Sequence, residues 1–253
     1  MEIDLKKALS SLLDERVLLF LPNGEEIKDM LKDVKIIAMG AEAVIAKAVF
    51  LDIDVIIKWR FPKPYMPQHL DTEFRRIRTS TEAKALFKSI VIGIKVPIPL
   101  YIDDDTGLLI MSFIDGVSLR DTMDSFSIEN VCEICRKIGI CVAKLHENSI
   151  AHGDITTSNI LIEKGSKDVY IIDFGLTNFT SRLEDQAIDV HIFFRSIEST
   201  HHNFEDLAKK CFIEGYRQIR GNYTKKVLET VNNIRKMGRY VAERKIKSIW
   251  KSQ

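Results

Sequence analysis

HGDITTSN, residues 152–159, sets an imidazole, a carboxylate and a carboxamide into one short stretch, at His152, Asp154 and Asn159. A carboxylate followed five positions later by a carboxamide suits two tasks: taking a proton from a hydroxyl and offering oxygen to a hard cation such as Mg2+. The stretch follows SIENVCEICRKIGICVAKLHENS, whose apolar residues recur at helical spacing, and precedes two short runs, NILIE and DVYIID. It therefore reads as a loop between a long helix, with Ser127 as N-cap and Glu129 in its first turn, and a pair of strands.

Working outward, 253 residues at 45% hydrophobic content suffice for a large core. The net charge of +1 creates no whole-chain field toward nucleic acid or an anionic membrane. The opening segment, MEIDLKKALSSLLDERVLLFL, lacks the basic start and long apolar run of a secretory signal. No stretch approaches the roughly 20 apolar residues of a spanning helix. These features predict a chain with no membrane partner and a cytoplasmic location. Cys132 and Cys135 form a C-x-x-C, but within a helical pattern and without a second ligand pair, so they are expected as buried helix cysteines, and all four cysteines fit a cytosolic compartment.

Toward the N-terminus, VKIIAMG, AVIAKAVFL and IDVIIKWR are β-branched runs that predict an antiparallel meander. A helix is expected from about Thr72 to Ser89, then a hairpin of VPIPLYID and GLLIMSFI around the turn DDDTG. The acidic trio Asp103, Asp104 and Asp105 reads as a solvated turn. Beyond Leu183 three further helical patterns follow. The expected class is α+β, a bilobal fold with an antiparallel sheet and one helix in the N-terminal lobe and a small, mainly helical C-terminal lobe. The predicted division is an extension over 1–32, helical or mixed, an N-lobe over 33–115, and a C-lobe over 116–253 with a basic tail.

Phosphoryl transfer asks the protein for charge neutralisation on a nucleotide and alignment of an acceptor. Four separated pieces offer this in the order found in protein kinases. Lys58, ending the third strand of the meander, suits the α and β phosphates. Glu82 on the following helix is its expected carboxylate partner, ahead of Glu73, which lies beside Arg75 and Arg76. In the loop, Asp154 would orient or deprotonate the acceptor hydroxyl, while His152 is expected to support the loop by packing and hydrogen bonding. Asp173 opens D-F-G after a strand and, with Asn159, would hold Mg2+. The nucleotide-covering segment is expected at Ile37, Ala38, Met39, Gly40, Ala41, Glu42, Ala43, Val44 and Ile45, where Gly40 alone survives from a glycine-rich loop. Met111 would border an adenine slot, with the main chain of Ser112 and Ile114 on the purine edge. ATP and Mg2+ are the cofactors these residues imply.

These motifs, with KWRFPKPYMPQHLDTEFRRIRTSTEAKAL and EDQAIDVHIFFRSIESTHH, resemble the small atypical protein kinase of the KEOPS (EKC) complex, the Bud-type or PRPK family. The resemblance runs from about Lys35 to near the C-terminus. HGD followed by TTSN separates it from ordinary protein kinases. It implies a minimal serine/threonine kinase and ATPase working in the complex that makes threonylcarbamoyl adenosine in tRNA. It also implies two partners: the metal-dependent tRNA threonylcarbamoyl-transferase subunit and a small dimeric subunit.

Departures from the protein-kinase pattern carry physical consequences. Gly153 replaces the usual Arg, and Thr156 replaces a Lys that would help neutralise the γ-phosphate, which predicts modest turnover. No A-P-E follows D-F-G, so little peptide platform is expected. Asp189, on the next helix, is a candidate brace for the loop backbone. The basic tail RKMGRYVAERKIKSIWKSQ, with Arg235, Lys236, Arg239, Arg244, Lys245, Lys247 and Lys251, is a candidate tRNA contact. Two other readings stay open from sequence: a small-molecule kinase of the aminoglycoside or choline type, and a pseudokinase that binds without turnover.

Overall fold

The computed structural model describes the backbone of residues 31–250 and the side chains of residues 31–237. The expected extension over 1–32 lies almost wholly outside the described residues. The chain divides into two compact units. Among the described residues, one comprises 31–80 together with Ile98–Phe113; the other comprises Thr81–Pro97 and residues 114–250.

The first unit is built on a five-stranded sheet ordered β1-β2-β3-β5-β4, with β1 Leu31–Met39, β2 Val44–Phe50, β3 Ile53–Trp59, β4 Pro99–Asp103 and β5 Leu108–Ser112. All neighbouring pairs are antiparallel. Side-chain alternation sorts the sheet into two faces. Val44, Ala46, Ala48 and Phe50 pack with Val55, Ile57, Trp59, Leu108 and Ile110 in one apolar cluster. The opposite parity carries Ile45, Lys58, Leu109 and Met111, and Lys58 pairs in register with both Ile45 and Leu109. Lys58 and Asp54, the polar residues of the central strand, are thus excluded from the apolar layer by the period of the strand alone.

Helix α1, Gln68–Val91, begins four residues before the sequence pattern suggests. Its first turn is held by Asp71, which accepts from Lys63 N–H at 3.1 Å and Arg75 Nε at 2.8 Å. The unit boundary falls within this helix, after Ser80.

The second unit opens with β6 Gly116–Ser118 and a short helix α2, Leu119–Thr122. The long helix α3, Ile128–Glu147, starts where predicted, with Ser127 accepting from Asn130 N–H. Strands β8 Ile160–Glu163 and β9 Val169–Ile171 join β6 in a three-stranded sheet, and β7 Ile150–Ala151 pairs with β10 Asn178–Phe179. Helices α4 Leu183–Thr200, α5 Glu205–Arg220 and α6 Tyr223–Trp250 complete it. The sheet partner β6 was not legible as a strand, because three half-buried residues carry too short a pattern.

Helices α3 and α5 meet at glycines. A Cβ on Gly139 would lie 2.1 Å from the Phe212 carbonyl oxygen, and one on Gly215 would lie 2.0 Å from that of Arg136. The close approach has a further consequence that corrects the expected cysteine chemistry. Cys132 on α3 is disulfide-bonded to Cys211 on α5, across 79 residues of sequence. Cys135 and Cys141 stay free, and burial pushes their thiols up to about 12 and about 11. Under denaturing, non-reducing conditions a thiol titration should therefore count only these two. Reduction or Cys132→Ser should lower stability by about 2–4 kcal/mol, measured as a fall in Tm.

Candidate functional site

The loop after β7 is fixed by a buried carboxylate. Asp189 of α4, 0% exposed, accepts from His152 N–H and Gly153 N–H at 2.7 Å each, through its two oxygens. His146 of α3 also reaches it, Nε2 donating at 3.0 Å, and the other ring nitrogen meets the Tyr216 hydroxyl at 2.8 Å. A carboxylate with three N–H donors is a firm anchor in a dry interior, because each lost bond would leave a buried donor unsatisfied. The brace expected from Asp189 is therefore present, as part of a chain running from α5 through α3 and α4 to the loop.

Gly153 owes its place to the backbone. Its φ is +85°, and a Cβ would sit 2.3 Å from the Leu176 carbonyl oxygen. An Arg here would be strained in φ and in collision with the segment after D-F-G. The departure at this position is thus a packing requirement of this chain.

His152 plays the supporting part expected of it. Its ring is fully buried and packs on Phe174, centroids 4.5 Å apart. Asp154 N–H donates to Nδ1 at 3.2 Å, so the proton resides on Nε2, which donates to the Ile172 carbonyl at 3.2 Å. Burial lowers its pKa from the ordinary 6.5, while the carboxylates of Asp189, Asp173 and Asp154 pull the other way without prevailing. The sign for stability follows: the unfolded chain binds a proton below 6.5 that the folded ring resists, so stability falls as pH drops below that value. Tm should decline between about pH 7.5 and about pH 5.5, less steeply in His152→Asn.

Around this ring the structure brings together Asp154, Asn159 and Asp173. Asn159 Nδ2 donates to both the main-chain oxygen and Oδ2 of Asp154, at 2.9 Å each. Its amide nitrogen is thereby spent, which turns Oδ1 into the atom left for a cation. Asp173 has φ +61°, a conformation that Asp tolerates better than most side chains, and accepts from Gly175 N–H at 3.2 Å. Phe174, 0% exposed, locks the turn into the core. Oxygen donors on Asn159 and Asp173 form a set that fits Mg2+.

Glu82 belongs to the same unit and is 1% exposed. Farther along its helix, Lys84 and Lys88 stand over the Phe179 ring, 5.0 and 4.6 Å from its centroid. Cation–π contacts of this kind join α1 to the segment that follows D-F-G.

The remaining expected residues lie in the sheet unit, except Ile114, which opens the second stretch of the helical unit. Lys58 is 6% exposed. Residues Ile37 to Ile45 form the β1–β2 hairpin, closed by Gly40 N–H donating to the Ala43 carbonyl at 3.0 Å. A Cβ at Gly40 would make only ordinary contact, 3.7 Å from the Ala43 oxygen, so the fold does not demand glycine there. Glu42, in the turn, is ion-paired with Arg78 of α1, a contact that sequence reasoning missed. Ser112 N–H donates to the Ile98 carbonyl at 2.9 Å, and the Ile114 carbonyl accepts from Gly116 N–H at 2.9 Å.

Of the basic tail, Arg235 is engaged by Glu198, whose carboxyl burial would raise but which Lys209 and Arg235 hold down at about 2. That guanidinium is committed within the fold. Lys236 is exposed, and the side chains from Arg239 to Lys251 lie outside the described residues. Among the described residues no helix is long and apolar enough to cross a membrane.

Residues 68–213 match the model of the protein kinase domain. A solved structure of the Rio2 kinase–ADP/Mg2+–phosphoaspartate complex from Chaetomium thermophilum superposes with a TM-score of 0.57 at 17% identity, covering 93% of this chain and 85% of that one. The antiparallel sheet unit and the helical unit are thus those of a protein-kinase-like fold. KEOPS complex subunit Bud32 of Pyrococcus abyssi is 35% identical over 214 residues, 82% of this chain and 96% of the relative. A probable serine/threonine-protein kinase BUD32 homolog of Archaeoglobus fulgidus is 36% identical over 188 residues, 74% of this chain and 89% of the relative. A probable bifunctional tRNA threonylcarbamoyladenosine biosynthesis protein of Methanocaldococcus jannaschii is 38% identical over 206 residues, 81% of this chain but only 37% of that longer protein. These relatives set aside the small-molecule kinase reading. With the loop, D-F-G and braced α4 all in place, the chain belongs to the Bud32 family and is an ATP-dependent phosphotransferase on a protein-kinase fold.

Proposed function

We propose that this chain uses Mg2+-ATP to phosphorylate serine or threonine and to hydrolyse ATP, as a subunit of a KEOPS-type complex that makes threonylcarbamoyl adenosine in tRNA. The observation that carries the chemistry is the hydrogen-bonded pair of Asp154 and Asn159, set beside Asp173 on the buried His152–Phe174 platform. The complex and its tRNA product come from the names of the Pyrococcus abyssi and Methanocaldococcus jannaschii relatives.

In this reading, Asp154 Oδ1 takes the proton of a serine, threonine or water hydroxyl, while Oδ2 stays fixed by Asn159. Asn159 Oδ1 and Asp173 hold Mg2+, which supplies neutralisation of the phosphate oxygens when bound. Lys58 serves the α and β phosphates, and Glu82 is the carboxylate that the sequence pattern pairs with it. Met111 flanks the adenine. Because Ser112 N–H and Ile114 C=O are already engaged, the purine edge falls to Ser112 C=O and Ile114 N–H. The hairpin from Ile37 to Ile45 covers the phosphates through its backbone. The divisions at 1–32, 33–115 and 116–253 are retained as extension, N-lobe and C-lobe, with a cytoplasmic location.

The partners in this reading are the metal-dependent threonylcarbamoyl-transferase subunit and a small dimeric subunit, with tRNA approached by the tail beyond Arg235. Purified protein should release phosphate from γ-labelled ATP and label itself when Mg2+ is present, and do neither with EDTA. Adding the transferase subunit and tRNA should shift labelling toward phosphate release. Turnover that persists in EDTA, or indifference to the transferase subunit, would contradict the proposal.

A further inference from the structure

The sheet unit holds a concave site beside the hairpin. A cavity of about 210 Å³ is lined by Glu42, Arg60, Lys63, Asp71, Arg75 and Arg78, with Met66 and Phe74 as an apolar wall. Four cations face two carboxylates, which leaves an excess of two positive charges in one small volume.

The carboxylates are not equivalent. Asp71, 4% exposed, is enclosed by its bonds from Lys63 N–H and Arg75 Nε, so its charge serves to fix the wall. Arg75 is held further by donating from Nη1 to the Thr106 carbonyl at 3.0 Å. Arg60, 3% exposed, donates from Nη1 to Thr79 Oγ1 at 3.3 Å. These guanidiniums are pre-set, and a rigid guanidinium fork matches the oxygens of a phosphate. Glu42, by contrast, keeps 53% of its side chain exposed and pairs directly with Arg78, 36% exposed, at the solvent boundary. An ion pair that open to solvent is weak, and a dianion in the cavity can displace it.

We propose that this cavity binds a small phosphate dianion, either inorganic phosphate or a phosphate monoester, in competition with Glu42 for Arg78. A monoester would lay its carbon part on Met66 and Phe74. Since Glu42 sits in the turn closed by Gly40 and Ala43, occupancy releases the β1–β2 hairpin from α1. Any effect on ATP turnover rests on the proposed role of that hairpin; the binding itself does not.

The test is calorimetric titration of nucleotide-free protein with inorganic phosphate, phosphoserine and acetate, in wild type and in Arg78→Gln, Lys63→Gln, Glu42→Gln and Asp173→Ala. Circular dichroism checks that each variant is folded. Binding of phosphate or phosphoserine should weaken about tenfold in Arg78→Gln and in Lys63→Gln, because each loses one charged hydrogen-bond donor. Glu42→Gln should tighten it severalfold by removing the competitor, which a merely structural role for Glu42 would not do. Asp173→Ala should leave it unchanged, which separates this cavity from the proposed nucleotide site. Phosphate binding without phosphoserine binding assigns the free ion as ligand, and tighter phosphoserine binding assigns the ester. Failure of both to bind, acetate binding as tightly, loss of binding in Asp173→Ala, or weakening in Glu42→Gln would each overturn the proposal.

Discussion

Asp154→Ala should lower phosphate transfer and ATP hydrolysis by roughly 10²- to 10⁴-fold, the usual contribution of a positioned general base. Two functions meet at this side chain. One oxygen accepts from Asn159 Nδ2, and the other is available to a hydroxyl. Asp154→Asn separates them, because the amide oxygen can still accept from Asn159 while its basicity is gone. If Asp154 acts as base, both variants should be slow and the Asn variant should melt close to wild type. Nucleotide affinity, measured by titration with ATP, should change far less than kcat. An Asp154→Asn enzyme that turns over near the wild-type rate would assign this residue to loop structure alone.

A larger structural loss is expected from Asp189→Ala. His152 N–H, Gly153 N–H and the His146 ring all direct donors at this one carboxylate. Removing it leaves three buried donors, and breaking a buried charged network of this kind costs about 3–5 kcal/mol. For a chain of this size the fall in Tm should be about 10 °C. Turnover should fall as well, since the backbone that Asp189 holds runs directly into Asp154. Asp189→Asn should rescue little, because its NH2 group would confront a third donor where an acceptor is required. A variant melting within a degree of wild type would show that the loop is held by other contacts. Thermal melts and single-turnover rates on both variants decide it.

Legibility in the sequence followed the range of the interactions involved. The meander, the hairpin and the α3 N-cap are local: alternation along strands and a serine before a helical run are visible within a dozen residues. The spacing of His152, Asp154 and Asn159 is also local, as is D-F-G. The bond between Glu42 and Arg78 joins residues 36 apart, and nothing in either neighbourhood announces the other. The same holds for the Cys132–Cys211 bridge, where the sequence pattern gave only helix cysteines and the close approach of two helices at their glycines brought the pair together. Strand β6 escaped notice because a three-residue strand has no period to read.

By itself the sequence determined which chemistry was available: a carboxylate, a carboxamide and a second carboxylate at the spacings of a phosphotransfer loop, on elements whose type follows from local pattern. Tertiary structure decided how those groups are held. Gly153 is explained by a φ of +85° and the Leu176 carbonyl, His152 by its burial against Phe174, and Asp189 by three donors arriving from two other segments. The reason is physical: spacing along a chain constrains what neighbours can do, whereas desolvation and close packing exist only once distant segments have met.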